Sequence, residues 1–145
     1  MASTEDEVRA AAERFYAAIE AMVAGRGLAP MREVWHQTPE VTSGHPSGDW
    51  ARGWDEVLAT WEVFSAFGHT SRGGSMVRDL EVHLCGDDVA YTTCTFVASP
   101  AFGGEPIACT NVVRRSDGAW KIVHHHADKS AKMAAALEKI AQENL

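Results

Sequence analysis

A helical repeat of apolar residues opens the chain. Behind a short polar stretch, apolar side chains recur every three or four positions, at Val8, Ala11, Ala12, Phe15, Ile19 and Met22. This spacing predicts an amphipathic helix, and Gly25 and Gly27 mark its end. Thr4 and Glu7 have the spacing of a capping box at its beginning.

Two more helices are predicted before the middle of the chain. Pro30 suits the first turn of a short helix that runs to about His36. Segment 42–48 combines glycine, proline and serine, which is typical of a short strand that leads into a loop. A wide apolar stripe at helical spacing then predicts a third helix, and its members are Trp54, Val57, Leu58, Trp61 and Phe64.

After residue 68 the pattern changes to that of a β-sheet. Four segments alternate in side-chain type, and turn signals such as Asp117-Gly118 separate them. The segments are Met76–Leu84, Val89–Ala98, Ile107–Arg115 and Trp120–Ala127. They predict an antiparallel meander, followed by a last helix over about 130–144 that Ser130 caps. Because helices come first and the sheet second, the sequence predicts one α+β domain over residues 1–145, with the helices on one face.

Both faces of the predicted sheet carry apolar residues. On the last strand Val123 and Ala127 lie on one face, and strict alternation puts Trp120 and Ile122 on the other. An antiparallel sheet with one wet face keeps that face polar. Three helices cover one face only, so we expect a second copy of the chain to cover the outer face and form a homodimer.

The charge balance narrows the classes of partner. The chain has 145 residues, with 13 Lys and Arg against 20 Asp and Glu, and its formal net charge is −7. An acidic chain without a basic face is not expected to bind nucleic acid. No stretch approaches the roughly 18 apolar residues of a membrane span, and the acidic residues 1–7 do not resemble a signal peptide. We therefore expect a cytoplasmic protein that binds no membrane.

The cysteines point to the same compartment. Cys85, Cys94 and Cys109 are three in number and show no C-x-x-C spacing. They predict neither a disulfide framework nor a zinc knuckle. Free thiols in a reducing cytoplasm are the simplest interpretation.

Two stretches of the sequence carry a family resemblance. One joins residues 45–48 (HPSG) to residues 53–57 (GWDEV) at the start of the third helix, and the other is the hairpin 117–126 (DGAWKIVHHH). Together with the order of helices and strands, they resemble the SnoaL-like branch of the nuclear transport factor 2-like, or ketosteroid-isomerase-like, superfamily. The resemblance covers roughly residues 4–130. The hairpin is also similar to the association domain of calcium/calmodulin-dependent kinase.

The resemblance implies a cone-shaped α+β barrel, in which a strongly bent antiparallel sheet wraps around three helices and a pocket opens between them. It also implies a dimer through the outer sheet face. Its members include isomerases, polyketide cyclases, epoxide hydrolases, dehydratases and plain oligomerisation modules. The fold therefore does not fix the chemistry.

The register of the hairpin around Asp117-Gly118 decides which residues face the pocket, because a slip by one residue exchanges the faces. A two-residue turn places Asn111 opposite His124, whereas a three-residue turn with a glycine bulge places Asn111 opposite His125. The residues alone leave both registers open. In similar hydrolases and isomerases a catalytic carboxylate occupies the position of His125, so the resemblance favours the second register.

This register predicts an apolar, aromatic pocket with few polar groups, which is typical of small-molecule sites. The predicted ligand-binding residues are Trp35, Trp54, Val57, Trp61, Cys94, Phe96, Cys109 and Val123. The polar set is His125, Asn111 and, near the rim, His45. We expect the ligand to be a small, largely hydrophobic molecule.

His125 is the predicted general base, since burial favours its neutral form. Asn111 would donate a hydrogen bond to the developing oxyanion, and His45 is a candidate second acid/base group. The sequence therefore predicts cofactor-free chemistry of the isomerase, cyclase or dehydratase type. The alternative is a non-catalytic ligand-binding or oligomerisation module.

A metal-dependent enzyme is a weaker alternative. The run 124–126 offers three imidazoles, and His45 or His69 could supply a further ligand. No carboxylate stands at an obvious ligand spacing, and the favoured register turns the two outer imidazoles of the run away from His125. No metal site is therefore predicted.

Overall fold

The computed structural model of the protein describes residues 3–66 and 74–143. Its helices are α1 (Thr4–Val23), α2 (Ala29–Glu33), α3 (Trp54–Ala66) and α4 (Ala131–Glu143), with a 3₁₀ turn at Pro100–Phe102. Its strands are β1 (Thr42–Gly44), β2 (Trp50–Arg52), β3 (Met76–Leu84), β4 (Val89–Val97), β5 (Pro106–Ser116) and β6 (Ala119–Ala127). The predicted α+β order is confirmed, with three helices before the long strands and one after them.

In this part of the chain the six strands form one curled, open sheet in the order β2-β1-β6-β5-β4-β3. The four long strands pair antiparallel as a meander, as their alternation predicts. The short β1 is different, because it pairs in parallel with β6 and places Ser43 opposite His125. Strand β2, which the sequence did not indicate, pairs with β1 and forms the edge of the sheet.

The N-terminal cap of α1 is Ser3 rather than the predicted Thr4. The Ser3 hydroxyl accepts from the Asp6 amide at 3.1 Å, and the Asp6 carboxylate accepts from the Ser3 amide at 3.3 Å. The apolar face of α1 packs across β3 to β6, and its Val8 and Phe15 are wholly buried. Such packing contributes more to helix stability than propensity does. In the described ranges no helix is both long and apolar enough to cross a membrane.

The β5–β6 hairpin has the predicted pairing of Asn111 with His125, but a different irregularity produces it. Its turn has two residues, Asp117 and Gly118, whose φ values of 53° and 78° suit a tight hairpin turn. The expected three-residue turn is therefore wrong. A bulge further along β6 leaves Val123 unpaired and shifts the register, so that Asn111 pairs with His125 as predicted.

The same bulge overturns the predicted composition of the outer face. Strict alternation predicts Trp120 and Ile122 outside, but they lie in the core, with 5% and 0% of their surfaces exposed. The reason is that the extra residue at Val123 reverses the alternation along β6. Ile122 is therefore unsuitable for testing the expected dimer contact on the outer face, because an Ile122→Asp substitution would disrupt the core.

The outer face that remains is partly polar. His124 and His126 lie there beside Trp50, with ring centroids 5.7 and 5.1 Å from the indole. Thr42 Oγ1 lies 2.6 Å from His124 Nδ1 and holds that ring in place. Apolar surface also remains on this face, since 47% of Trp50 and 38% of Tyr91 are exposed.

Helix α4 packs over the 3₁₀ turn. Ser130 caps it as predicted, because its hydroxyl accepts from the Met133 amide at 3.0 Å and donates to the Glu105 carboxylate at 2.6 Å. Gly103 allows the close approach, since a Cβ at this position would lie 3.0 Å from the backbone of Lys132. Met133 is thereby buried against the interior of the fold.

Candidate functional site

An apolar cavity lies between the helices and the inner face of the sheet. Its volume is about 50 Å³, whereas one buried water needs about 10–15 Å³. The lining comprises Tyr16, Ile19, Met22, Val23, His45, Pro46, Trp61, Phe64, Ser75, Phe96, Ala98, Ser99, Phe102, Cys109, His125, Ala127 and Met133. None of these residues is an acid, a lysine or an arginine. The cavity therefore suits a small, uncharged and mostly apolar molecule.

A chain of hydrogen bonds forms part of the cavity wall. His125 Nδ1 lies 2.7 Å from Asn111 Oδ1, and Asn111 Nδ2 donates to the Tyr16 hydroxyl over 2.8 Å. Cys94 Sγ donates to the same hydroxyl over 3.1 Å. The chain thus connects α1 with three neighbouring strands of the sheet. Asn111, at its centre, is wholly buried, so water does not compete for its amide.

This chain fixes the tautomer of His125. Asn111 Oδ1 can only accept a hydrogen bond, so His125 Nδ1 carries the proton and Nε2 of the neutral ring keeps its lone pair. Burial, and after it the neighbouring His45, hold the pKa of His125 well below its usual 6.5. The ring is therefore neutral at pH 7. Its Nε2 has no partner among residues 3–66 and 74–143.

Tyr16 supplies the complementary group, a proton donor. Its oxygen accepts from Asn111 and Cys94, which leaves its own proton for Cys109 or for a ligand. Burial, followed by the nearby Cys109 and Cys94 thiols, raises the pKa of the Tyr16 hydroxyl far above its usual 10. The hydroxyl therefore stays protonated. Its ring stacks on Phe96 at 5.7 Å, and both rings line the cavity.

His45 lies inside the cavity rather than at its rim, with only 5% of its surface exposed. Its ring centroid is 6.0 Å from that of His125 and 4.6 Å from that of Trp61. The Thr60 hydroxyl lies 2.7 Å from His45 Nε2. Burial lowers the pKa of His45 from 6.5 to about 4. Two neutral imidazoles therefore share one cavity at pH 7.

The structure brings together some of the residues that the sequence assigns to the site. Those that line the cavity are His45, His125, Trp61, Phe96 and Cys109. Cys94 and Asn111 lie behind the lining and reach it through the Tyr16 hydroxyl.

Four predicted ligand-binding residues lie elsewhere. Trp35 and Val57 are wholly buried in the core and do not line the cavity. Trp54 borders a separate surface groove, and Val123 is the half-buried residue of the β6 bulge. Of the two tryptophans in the α3 stripe, Trp61 therefore lines the cavity and Trp54 does not.

Asn111 has a different geometry from the one its predicted role requires. Its amide is engaged by His125 and Tyr16, and the residue does not line the cavity. It positions those two groups and does not reach a ligand. Tyr16, which the sequence did not single out, is the donor that faces the cavity. The signal for it was the width of the buried stripe of α1, which includes both Phe15 and Tyr16.

Two of the three cysteines form a pair beside Tyr16. Cys94 and Cys109 are directly opposite each other on β4 and β5, and their thiols are hydrogen-bonded. This bond lowers the pKa of the Cys94 thiol and, together with burial, raises that of Cys109. Both thiols are free and buried, whereas Cys85 is free and exposed.

A titration of the native protein with Ellman's reagent should therefore show one fast-reacting thiol. Burial of Cys94 and Cys109 should slow the other two until the protein is unfolded. The Cys85→Ser variant should lose the fast phase, and the matched Cys94→Ser variant should keep it. A fast phase that survives in Cys85→Ser would contradict the buried placement of the pair.

The histidine run 124–126 is divided between the two faces of the sheet. His125 points into the cavity, whereas His124 and His126 lie beside Trp50 on the outer face. Among the described residues no three His, Cys, Asp or Glu side chains come close enough to hold a metal ion together. His69, a candidate further ligand, lies outside the described ranges.

The family can be assigned from a sequence profile. The profile of the SnoaL-like domain matches residues 8–130. The chain belongs to the SnoaL-like domain family. This confirms the resemblance seen in the sequence, and the match includes every residue of the cavity lining except Met133.

Solved structures share the fold of this SnoaL-like chain. A protein from Thiobacillus denitrificans, named for the calcium/calmodulin-dependent protein kinase type II association domain, is 30% identical with a TM-score of 0.68. The similarity covers 84% of this chain and 94% of that one. A protein from Streptomyces avermitilis, named as a dehydratase of the NTF2-like family, is 25% identical with a TM-score of 0.71 over 86% and 95% of the two chains. These similarities confirm the cone-shaped fold.

A longer protein contains a similar segment. The F-box protein SKIP8 of Arabidopsis thaliana is 27% identical over 109 residues, which make up 73% of this chain and 44% of that protein. The SnoaL-like chain thus spans less than half the length of that relative.

Proposed function

We propose that the protein is a cofactor-free acid/base enzyme that acts on a small, mostly apolar carbonyl compound. The observation that carries this proposal is the His125–Asn111–Tyr16 chain, which leaves an uncharged basic nitrogen and an uncharged phenol in one apolar cavity. The reaction is an isomerisation, a cyclisation or a dehydration. For a carbonyl compound, each of these reactions has an enolate route, which begins with the removal of a proton from the carbon next to the carbonyl.

In the proposed step, His125 Nε2 takes the proton from that carbon, and the electron pair of the broken C–H bond moves to the carbonyl oxygen. The Tyr16 hydroxyl donates a hydrogen bond to this oxygen, where negative charge develops. Asn111 Oδ1 accepts from His125 Nδ1 and so stabilises the imidazolium as it forms. The apolar lining strengthens both interactions, because few other dipoles screen them.

A non-catalytic ligand-binding or oligomerisation module is the second candidate function. It is supported by the 30% identity to the protein named for the kinase association domain. Such a module would bind an apolar molecule in the cavity, or none, without moving a proton. Proton exchange therefore distinguishes the two candidates.

The test is exchange of the hydrogens next to the carbonyl for deuterium in D₂O, followed by nuclear magnetic resonance. Cyclohexanone and acetophenone serve as probes, because both are small, neutral and mostly apolar. The wild-type protein should accelerate the exchange beyond the same concentration of free imidazole. A wild-type rate equal to that of free imidazole would refute the enzyme and leave the binding module.

The Tyr16→Phe variant tests the donor. Removing the hydroxyl should slow the exchange on the order of 10²–10³-fold, which is the usual effect of losing one oxyanion donor. The ring and its stacking on Phe96 are kept, so the fold should survive. The matched control is Tyr91→Phe, which removes a hydroxyl from the outer face and should leave the rate unchanged. Equal rates in Tyr16→Phe and wild type would remove Tyr16 from the mechanism.

We also propose that two copies of the chain associate through the outer sheet face. Apolar surface on this face supports the proposal: Trp50 is 47% exposed, Tyr91 is 38% exposed, and half-buried Val112 lies opposite Tyr91. Large exposed aromatic residues grouped on one face are typical of protein–protein contacts. The second copy would cover the face that the helices do not.

The Tyr91→Asp variant should sediment as a monomer, whereas wild type should sediment as a dimer in analytical ultracentrifugation. A buried aspartate at the contact would lack a partner and would destabilise the association. The matched control is Val63→Asp on α3, where the valine is 54% exposed and lies away from the sheet face. A monomeric wild-type protein would contradict the proposal, as would a dimer that Val63→Asp disrupts and Tyr91→Asp does not.

The cysteines support a reducing compartment, and we propose a cytoplasmic location on that basis. Cys85, Cys94 and Cys109 are all free thiols, including the exposed Cys85.

A further inference from the structure

His45 is a polar side chain in the cavity that the proposed step does not use. It follows β1 directly and packs edge-on against Trp61 and at a tilt against Phe64, with ring centroids 4.6 and 5.3 Å away. These contacts bury the ring and hold it within 6.0 Å of the His125 ring, measured between centroids. The backbone and two aromatic neighbours therefore fix its position.

The hydrogen bonds of Thr60 determine which nitrogen of His45 carries the proton. The Thr60 hydroxyl donates its only proton to the carbonyl of Val57 over 2.6 Å, so its oxygen can only accept from His45 Nε2, 2.7 Å away. The proton of the neutral ring is thus on Nε2. His45 Nδ1 keeps a lone pair, and no residue within 3–66 or 74–143 donates to it.

The lone pair on Nδ1 restricts what the cavity binds well. A buried acceptor without a hydrogen-bond donor costs free energy, and none of the side chains that line this cavity is a lysine or an arginine. A carboxylate would meet the lone pairs of His45 and His125 with no cation to balance it. A second carbonyl would offer no donor either. A hydroxyl group of the ligand satisfies Nδ1 and adds no charge.

We propose that His45 Nδ1 accepts a hydrogen bond from a hydroxyl group of the substrate, so that the site selects small, uncharged hydroxy ketones over ketones that lack the hydroxyl. This inference rests on the proposed function for its assignment of the carbonyl to Tyr16. His45 is then a specificity-determining residue: Tyr16 binds the carbonyl oxygen, His125 faces the neighbouring carbon, and His45 recognises the hydroxyl. No charged group of the ligand is required.

The test compares two probes, 2-hydroxyacetophenone and acetophenone, which differ by one hydroxyl group. Their dissociation constants are measured by calorimetry or by tryptophan fluorescence, to which Trp61 in the cavity lining contributes. The wild-type protein should prefer the hydroxy ketone on the order of 10–100-fold, the usual range for satisfying one buried polar group. The His45→Phe variant should lose this preference, and phenylalanine keeps the aromatic packing of the ring position.

A second variant protects the test against misfolding of His45→Phe. Thr60→Val removes the nearer acceptor of the Nε2 proton and leaves Ser43 Oγ at 3.4 Å, so the ring can place its proton on Nδ1. Because a hydroxyl can also accept, the readout for this variant is the preference for 2-hydroxyacetophenone over its methyl ether, which should fall. Nitrogen-15 shifts of the ring then report the change of tautomer directly. The matched control is Thr95→Val on β4, which removes a hydroxyl from a half-buried threonine outside the cavity lining and should leave the preference unchanged.

The outcomes separate this inference from the proposed function. Equal affinity of wild type for the two probes, or a preference that persists in His45→Phe or Thr60→Val, overturns the role of His45 even if deuterium exchange proceeds. A preference that depends on His45 supports the inference even if the protein exchanges no protons. In that case the site is a receptor for hydroxy ketones and the enzyme proposal alone fails.

Discussion

Replacing His125 with alanine should slow deuterium exchange of cyclohexanone by about 10²–10⁴-fold, which is the usual contribution of a positioned general base. The variant removes the one basic nitrogen that the proposed step uses. It should still bind the probe, because Tyr16, Trp61, Phe64, Phe96 and Phe102 still line the cavity. Circular dichroism and calorimetric binding of acetophenone check that the fold and the cavity persist. A variant that binds acetophenone and exchanges as fast as wild type would show that His125 is not the base.

The Asn111→Leu variant tests whether Asn111 positions the base. It keeps the imidazole of His125 but removes the amide that accepts from His125 Nδ1. Without the amide, His125 can carry its proton on Nε2, the nitrogen that must be free for the reaction. We expect a loss similar to that of His125→Ala, since a wrong tautomer alone can cost several orders of magnitude. Nitrogen-15 shifts of His125 should show the change, which a purely structural effect would not produce. Thr92→Val is the matched control, because Thr92 pairs with Asn111 across the strands and its buried hydroxyl has no partner in the described residues.

The long elements of the fold were predictable because each has a strong period. The bounds of β3 agree with the prediction at both ends, and the ends of β4, β5 and β6 agree within one residue. Hydrophobic alternation is reliable in β4, β5 and β6, since one face of each is buried, and the inward-facing residues of β3 are half-buried. Strand β2 was missed, because a three-residue edge strand shows no measurable period.

The register of the last hairpin could not be predicted from alternation alone, because it depends on the position of a bulge. The pairing of Asn111 with His125 was predicted correctly, but for the wrong reason. The prediction assumed a glycine bulge in the turn, and the protein has no bulge there. The actual bulge at Val123 has no special residue type to mark it. Its effect is nevertheless large, because it moves Trp120 and Ile122 from the expected outer face into the core.

The site could be predicted only where a single element determined it. His125 and Cys109 follow from strand alternation once the register is known. Tyr16 depends on a contact between α1 and residues more than 70 positions later, so local pattern could not assign its hydroxyl to Asn111 and Cys94. The inward position of His45 likewise depends on Trp61 and Thr60 of α3.

The second large effect is a loss of stability in acid that comes from the buried histidines. For both His45 and His125 the pKa in the folded state is lower than the usual 6.5. Protons therefore bind the unfolded chain first, and the folded state loses stability as the pH falls below about 6.5. Each ring contributes about 1.4 kcal/mol per pH unit until its own folded-state pKa is reached. Above pH 6.5 both rings are neutral in either state, and the stability should be nearly independent of them.

The pKa of His45 is about 4 in the folded state. Between pH 6.5 and pH 4 its protonation should therefore lower the free energy of unfolding by about 3 kcal/mol. Urea unfolding of wild type and of His45→Phe at pH 7.5, 6, 5 and 4.5 measures it. The difference in unfolding free energy between the two proteins should shift in favour of the variant as the pH falls, because phenylalanine does not bind a proton. The matched control is Phe102→Leu, which alters the packing of another ring of the cavity lining, one that contacts Phe64, and removes no titrating group. Its difference from wild type should be the same at every pH. If the His45→Phe difference is equally constant, His45 is not buried as a neutral ring, and its role as an acceptor for a substrate hydroxyl fails with it.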